Sequence, residues 1–383
     1  MKNIKKIDKI LLVVVIFYSL LGLMMILSAS SASTVLRYHV ASNHFFIRQL
    51  LVLIIAYACG FTILFIPTSK YKGLSYLIVI GVIGLLGLVL VYGKITNNAQ
   101  SWFKIGPFTM QPSEFAKTAI IIFMAVFYDM LTERRIKNVS LYFIPITVAA
   151  IMAFLIAKQP DLGSAAIFTA ISGFIFMTIP LIRNNFNKII KVFFVLGVIL
   201  GILIFYKSDD ILTSERLSRF NFKNPCSRYR EDSGYQVCNG LIAISNGGLF
   251  GVGLGKSTQK YMYLPESHTD FIFPIICEEL GAIFGVVIIL GYGFMLLRMY
   301  RIAKAADNLR TSIIAYGAFW YFALHIIVNL LGILALIPLT GVPLPFLSYG
   351  GSYTLNAILL VFAVERVAIE NHQNRFKRDL ARI

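Results

Sequence analysis

The sequence predicts an all-α polytopic membrane protein of about ten transmembrane helices, with one large loop, residues 207–270, between helices seven and eight. Three observations lead there. The 383-residue chain is 58% hydrophobic and 14% charged, with a mean hydropathy of +0.77, too apolar for an ordinary soluble domain. Apolar runs of roughly 17–25 residues, the length that crosses a hydrocarbon core, recur along the chain. Lys and Arg fall in every second break between those runs. Nothing is left over for a separate soluble domain, so residues 1–383 read as a single membrane domain.

The first span is expected over residues 10–28. Lys2, Lys5, Lys6 and Lys9 before it and Ser31 to Ser33 after it imitate a secretory signal with its cleavage site. The apolar stretch is nearly a full crossing and further spans follow, so an uncleaved helix is the better reading. The next spans are expected over 45–66, 74–92, 112–131, 140–157, 163–182, 189–206, 271–297, 312–336 and 351–369.

If the N-terminus is cytoplasmic, alternate breaks should be basic, and they are. Lys70 and Lys72 come first, then Arg134, Arg135 and Lys137, then Arg183 and Lys188. Arg298, Arg301, Lys304 and Arg310 follow, and the tail carries Arg375, Lys377, Arg378 and Arg382. An even number of spans returns the C-terminus to the cytoplasm and puts the 207–270 loop outside. The second half of that loop, rich in glycine and aromatics, is expected to be ordered and partly helical at the membrane surface. This pattern also accounts for the net charge of +17: the cations sit between apolar spans and not on one soluble face, which argues against nucleic acid as a partner.

Cys59 and Cys277 fall in or beside apolar spans, and no metal-ligand spacing is present. Cys226 and Cys238 share the long outer loop, where either a disulfide or two free thiols would fit.

Charges inside spans are costly and are usually kept for function. Arg48, Glu114, Lys117, Lys158, Asp161 and Asp270 all lie near the outer boundary of this topology, although they come from five different spans or their edges. Pro112 suits a first helical turn, leaving Glu114 and Lys117 three residues apart on one face, as a substrate-side pair or as a helix-end salt bridge. Asp161, after Pro160, could cap span six, and Asp270 could cap span eight. As chemistry, a carboxylate such as Asp270 at the lipid–water boundary could take a proton from a sugar hydroxyl. His268 is its partner or a polar neighbour. Glu278 and Glu279, roughly 12 Å deeper on the same helix, must face protein or water. Residues 337–352, with three prolines and Gly341, Gly350 and Gly351, cannot be regular helix and must be protein-buried or line a cavity. Ser348 of this segment joins the candidate substrate-binding set. Trp102 reads as an interfacial aromatic anchor.

Four blocks, QPSEFAK (111–117), KQPDLGS (158–164), LPESHTDFIF (264–273) and GVPLPFLSYGGS (341–352), resemble in order the signature blocks of the SEDS family of shape, elongation, division and sporulation proteins. The likeness covers nearly the whole chain. GGLFGVGLGKSTQK (247–260) is closer to the FtsW and SpoVE branches, whereas KQPDLG and AQSWF are closer to RodA; the balance is FtsW-like. The resemblance implies a peptidoglycan glycosyltransferase of the bacterial cytoplasmic membrane that polymerises lipid II on the outer face. It also implies work beside a class B penicillin-binding transpeptidase and other divisome or elongasome membrane proteins. Asp270 would be its catalytic residue, Glu114 and Lys117 a polar pair beside the substrate, and Arg48 an arginine near the cavity. Two stretches depart from the family: NPCSRYREDSGYQ replaces a compact turn, and Tyr353 stands where a second serine is common.

In the resulting expectation Lys117, Arg48 and Lys158 hold diphosphate and Asp270 is the general base. A divalent cation, Mg or Mn, would assist by screening the diphosphate, without a dedicated site. The rival is a flippase for the same lipid-linked sugar. It should show a second, inner set of charges for alternating access, and none is expected. A scaffold whose basic loops bind partners or anionic membrane lipid is the third reading.

Overall fold

The computed structural model describes residues 6–37, 39–96, 99–105, 108–136, 138–159, 161–180, 222–230, 232–265 and 267–380. The predicted span over 189–206 and the first part of the outer loop lie outside these. The helices are α1 (Lys9–Leu36), α2 (His44–Ile63), α3 (Tyr71–Tyr92), α4 (Pro112–Glu133), α5 (Ile144–Lys158) and α6 (Leu162–Met177). They continue with α7 (Asp232–Gly247), α8 (Ile272–Leu280), α9 (Ala282–Lys304), α10 (Leu309–Ile333) and α11 (Gly351–Leu380). Among the described residues, eight helices are long and apolar enough to cross a membrane, and α6 is a shorter apolar one. Buried apolar side chains from α1 through α11 form one connected core, in which α11 packs on α2 and α10 on α4, α6 and α9.

Four differences from the sequence reading have physical causes. Helix α1 runs eight residues past the predicted end, through Ser31, Ser33 and Thr34. Their hydroxyls bond back to carbonyls three or four residues earlier, so the polar end stays helical.

The break between α3 and α4 is not bare loop but a three-stranded antiparallel meander: β1 (Lys94–Thr96), β2 (Ala99–Ile105) and β3 (Phe108–Met110). Trp102 lies in its middle strand, opposite Lys94.

The predicted eighth span is two helices, α8 and α9, broken at Gly281 with φ +91°. A Cβ there would lie 2.3 Å from the Leu249 carbonyl oxygen, so glycine is required by both conformation and space. The 23 residues of α9 are long enough to cross the hydrocarbon on their own.

The fourth difference concerns charge: a second charged set lies at the end of the bundle away from Asp270. Arg310 pairs with Asp129 at 2.9 Å and bonds Thr68, whose N–H and hydroxyl donate to Glu370, itself paired with Arg366 at 3.0 Å. Arg298 pairs with Asp8 at 2.5 Å, and the Asp8 N–H donates to Glu365. Arg298 and Arg310 counted as loop cations in the sequence, but they neutralise acids buried where α1, α3, α4, α9, α10 and α11 meet. Asp8, just before α1, and Glu365, in the second half of α11, therefore lie on one side of the bundle.

In the long loop, the second half is ordered and carries α7, as expected. Helix α7 packs on α8, and Cys226 is joined to Cys238 by a disulfide, which fixes the 225–228 turn to α7.

Candidate functional site

Helix α4 begins at Pro112, placing Glu114 and Lys117 in its first two turns, almost wholly buried. Lys117 Nζ donates to Glu114 Oε1 at 2.7 Å and lies 3.2 Å from His325 Nε2 of α10. His325 Nδ1 is 2.7 Å from the Tyr321 carbonyl oxygen, which can only accept. The proton therefore sits on Nδ1, and the Nε2 lone pair receives the Lys117 ammonium. Tyr321 Oη donates to Glu114 Oε2 at 3.5 Å and accepts from Asn356 Nδ2 at 3.4 Å. The pair is thus the middle of a network from α4, α10 and α11, which goes beyond a helix-end salt bridge.

Asp270 lies just before α8 and is 8% exposed. The N-cap of α8 is Phe271, which makes no side-chain cap bond. Asn329 Nδ2 donates to both the Asp270 carbonyl oxygen (2.9 Å) and the Val342 carbonyl oxygen (2.7 Å), fastening the head of α8 to the 341–350 segment. Thr269 Oγ1 donates to Asp270 Oδ1 at 3.1 Å, and a Cβ on Gly341 would stand 3.7 Å from Asp270 Oδ2. Asn329 follows His325 by four residues on α10, a rise of roughly 6 Å on one face. The structure accordingly brings Asp270 and the Glu114–Lys117 pair to neighbouring turns of one helix.

The other predicted residues divide. Asp161 does cap α6, accepting from the Ser164 N–H at 3.1 Å, and its second oxygen accepts from Gln111 Nε2 at 2.8 Å, three residues before Glu114. Arg48 is half-buried on α2 and, among the described residues, has no hydrogen-bond or ion-pair partner, which leaves its guanidinium available to an anion. Lys158 is exposed, with its ammonium 5.5 Å from the Phe154 ring on its own helix, and it does not join the network.

His268 is stacked on Phe45 at 4.4 Å and buried; desolvation, with Arg37 adding to it, pushes its pKa down to about 4. It is neutral at pH 7, and its Nδ1 has no bond among the described residues. Ser348 is fully buried and accepts from the Leu344 N–H at 2.8 Å, closing the 344–348 turn. Glu278 and Glu279 face protein: the 251–260 loop encloses both.

Sequence reasoning missed Tyr321, His325, Asn329, Asn356 and Gln49, the last of which bonds Thr354 and the Gly350 N–H. A signal was there: Tyr321, His325 and Asn329 recur every four residues, a polar line down an apolar span. Among the described residues no three His, Cys, Asp or Glu side chains gather to hold a metal ion.

A carboxylate that keeps some exposure, a buried cationic centre and an arginine with no partner among the described residues suit proton removal beside a charged leaving group. The chain is 39% identical to a probable peptidoglycan glycosyltransferase FtsW of Bacillus subtilis, over 83% of this chain and 79% of that one. It is 37% identical to stage V sporulation protein E of the same organism, over 83% and 84% of the two chains. The crystal structure of the rod shape determining protein RodA of Thermus thermophilus superposes with a TM-score of 0.66 at 25% identity, covering 96% of this chain and 98% of that one. The family model described as cell cycle protein, which groups FtsW, RodA and SpoVE, matches residues 8–373, and this chain belongs to that family.

Proposed function

We propose that this protein is an FtsW-like peptidoglycan glycosyltransferase that polymerises lipid II at the outer face of the bacterial cytoplasmic membrane. The observation that carries the reading is the placement of Asp270. Its backbone carbonyl is held by Asn329 and its carboxylate by Thr269, one turn of α10 from the buried Lys117 ammonium.

In the reaction, Asp270 accepts the proton of the acceptor sugar hydroxyl as that oxygen bonds to the anomeric carbon of the donor. The bond from that carbon to the diphosphate oxygen breaks, and the electron pair leaves with the lipid diphosphate. Attack opposite the leaving group inverts the anomeric centre. Arg48 and Lys117 supply positive potential for the departing charge, with Lys158 at the rim. Any divalent cation would arrive with the diphosphate and screen it there. His268 and Ser348 shape the walls beside Asp270, and Asp161 fixes Gln111 at the start of α4.

Both termini are proposed to be cytoplasmic. Support comes from the basic alternate loops and from the Cys226–Cys238 disulfide, a bond that persists in an oxidising compartment. A class B penicillin-binding transpeptidase is the proposed partner, as the family resemblance implies.

The inner charged set gives the flippase reading one supporting observation, since charge is buried at both ends of the bundle. Those inner groups are bonded to one another across helix ends, which favours a fixed scaffold over alternating access. The test is purified protein with its transpeptidase partner and labelled lipid II, in detergent and in liposomes. Glycan polymer supports the transferase; translocation of lipid II with no glycan made overturns it.

A further inference from the structure

Residues 247–260, GGLFGVGLGKSTQK, form a glycine-rich stretch containing Gly-Lys-Ser-Thr at 255–258, a composition whose backbone N–H groups are suited to cradling phosphate. In this fold the cradled anions are the protein's own. Gly251, Gly253 and Gly255 all have positive φ, which curls the chain so that successive N–H groups converge. Glu278 accepts from Ser257 Oγ, from the Thr258 N–H (3.2 Å) and hydroxyl (2.9 Å), and from the Gln259 N–H (3.3 Å). Glu279 accepts from Ser28 Oγ of α1 (2.6 Å), the Ser257 N–H (3.4 Å) and Lys260 Nζ (3.0 Å). Lys260 Nζ also donates to the Gly255 carbonyl at 2.5 Å.

Both carboxylates are 1% exposed and every oxygen has a donor, so an external phosphate would meet occupied donors and two negative charges. The backbone closes the same clasp: Val252 and Gly253 donate to the carbonyls of Glu278 and Glu279, and Ala282 donates to that of Gly248. All these bonds fall at the break between α8 and α9.

We propose that this loop is an internally occupied anion nest and that Glu278, Glu279 and Lys260 are positioning residues for the transfer reaction. The inference rests on the function proposed above. Helix α8 is nine residues long, a rigid rod with the nest at its inner end and Asp270 just before its outer end, roughly 12 Å away. Asn329 holds the outer end and the nest holds the inner one. With both ends fixed, the Asp270 carboxylate keeps one depth and one direction. Glutamine in place of either acid turns an NH2 group towards N–H and O–H donors, which loosens the inner end while keeping the side-chain volume.

The experiment measures lipid II polymerisation by the complex with its transpeptidase partner, comparing wild type with Glu278→Gln, Glu279→Gln, Lys260→Met and Lys260→Arg. The expected result is a fall in kcat of at least tenfold for the two glutamine variants and Lys260→Met, with KM within twofold, and recovery to within threefold of wild type in Lys260→Arg. Cys277, buried beside Glu278, gives a readout independent of activity. In a Cys59→Ser background its alkylation rate should rise at least tenfold in Glu278→Gln. If kcat stays within twofold in all variants, or Cys277 remains as protected as in wild type, the nest is not a positioning device. A wild-type complex that makes no glycan would instead sink the functional reading, and the alkylation rates would still report on the seating of α8.

Discussion

Asn329 follows His325 by one turn of α10, and the two side chains serve opposite halves of the site: Asn329 donates to the carbonyl of Asp270 at 2.9 Å, while His325 lies 3.2 Å from the Lys117 ammonium. One helix face thus sets the spacing between the proposed base and the proposed electrostatic centre. Replacing Asn329 with alanine removes its bonds to the carbonyls of Asp270 and Val342. At about 1–3 kcal/mol for such a loss, the expected effect is a fall in kcat of roughly tenfold to a hundredfold. Lipid II affinity should be nearly unchanged. Steady-state polymerisation and a direct binding measurement separate the two.

Glu114 and Lys117 are 3% and 1% exposed, so each neutralises the other where water cannot. Glu114→Ala should strand the ammonium and lower stability by about 3–5 kcal/mol. The double variant Glu114→Ala/Lys117→Met removes both charges and should unfold at a higher temperature than Glu114→Ala alone. Thermal unfolding in detergent reads the order; a double variant less stable than the single one contradicts it.

His268 resists protonation in the fold, with its pKa near 4 against an ordinary 6.5. Above pH 6.5 folded and unfolded chains are both neutral at this ring, and it adds no pH dependence. Between about 6.5 and 4 the unfolded chain takes up a proton that the fold refuses, so stability falls with pH, by roughly 2–3 kcal/mol at pH 4.5. His268→Phe should flatten this acid limb. Melting temperatures of the two proteins at pH 7.5 and 4.5 check it: the gap between pH values should shrink in the variant.

The disulfide and the two remaining cysteines predict a labelling pattern. Cys59 is exposed and Cys277 buried, so the native protein should take up one alkylating probe, the denatured protein two and the reduced, denatured protein four. Cys226→Ser/Cys238→Ser should destabilise the 222–247 segment by up to about 3 kcal/mol, as expected for a loop of this length. Hydrogen exchange should speed up in α7 first.

Much of this was legible in the sequence, for identifiable reasons. The spans follow from hydropathy, which needs no tertiary information, and Glu114 and Lys117 from a spacing that one helix turn enforces. Gly281 was not legible as a break, because a glycine inside an apolar run is tolerated by many helices; only the Leu249 carbonyl beside it makes the break obligatory. Asp129, Arg298 and Arg310 sit within two turns of helix ends, where sequence cannot separate a solvated charge from one paired across the bundle. The line Tyr321–His325–Asn329 was visible as spacing but not as function, because its partners lie on other elements, 13 to 208 residues away. The 94–110 meander was masked by its short strands, although Asn97-Asn98 and Gly106-Pro107 are turn dipeptides.

The central claim is that the Asp270 carboxylate is the general base of glycosyl transfer. Lipid II polymerisation by the purified complex, wild type against Asp270→Asn, tests it most directly, because the amide keeps the shape and loses the basic oxygen. The account predicts no detectable glycan from the variant, with lipid II binding and folding retained. Glycan made at the wild-type rate by Asp270→Asn would contradict it.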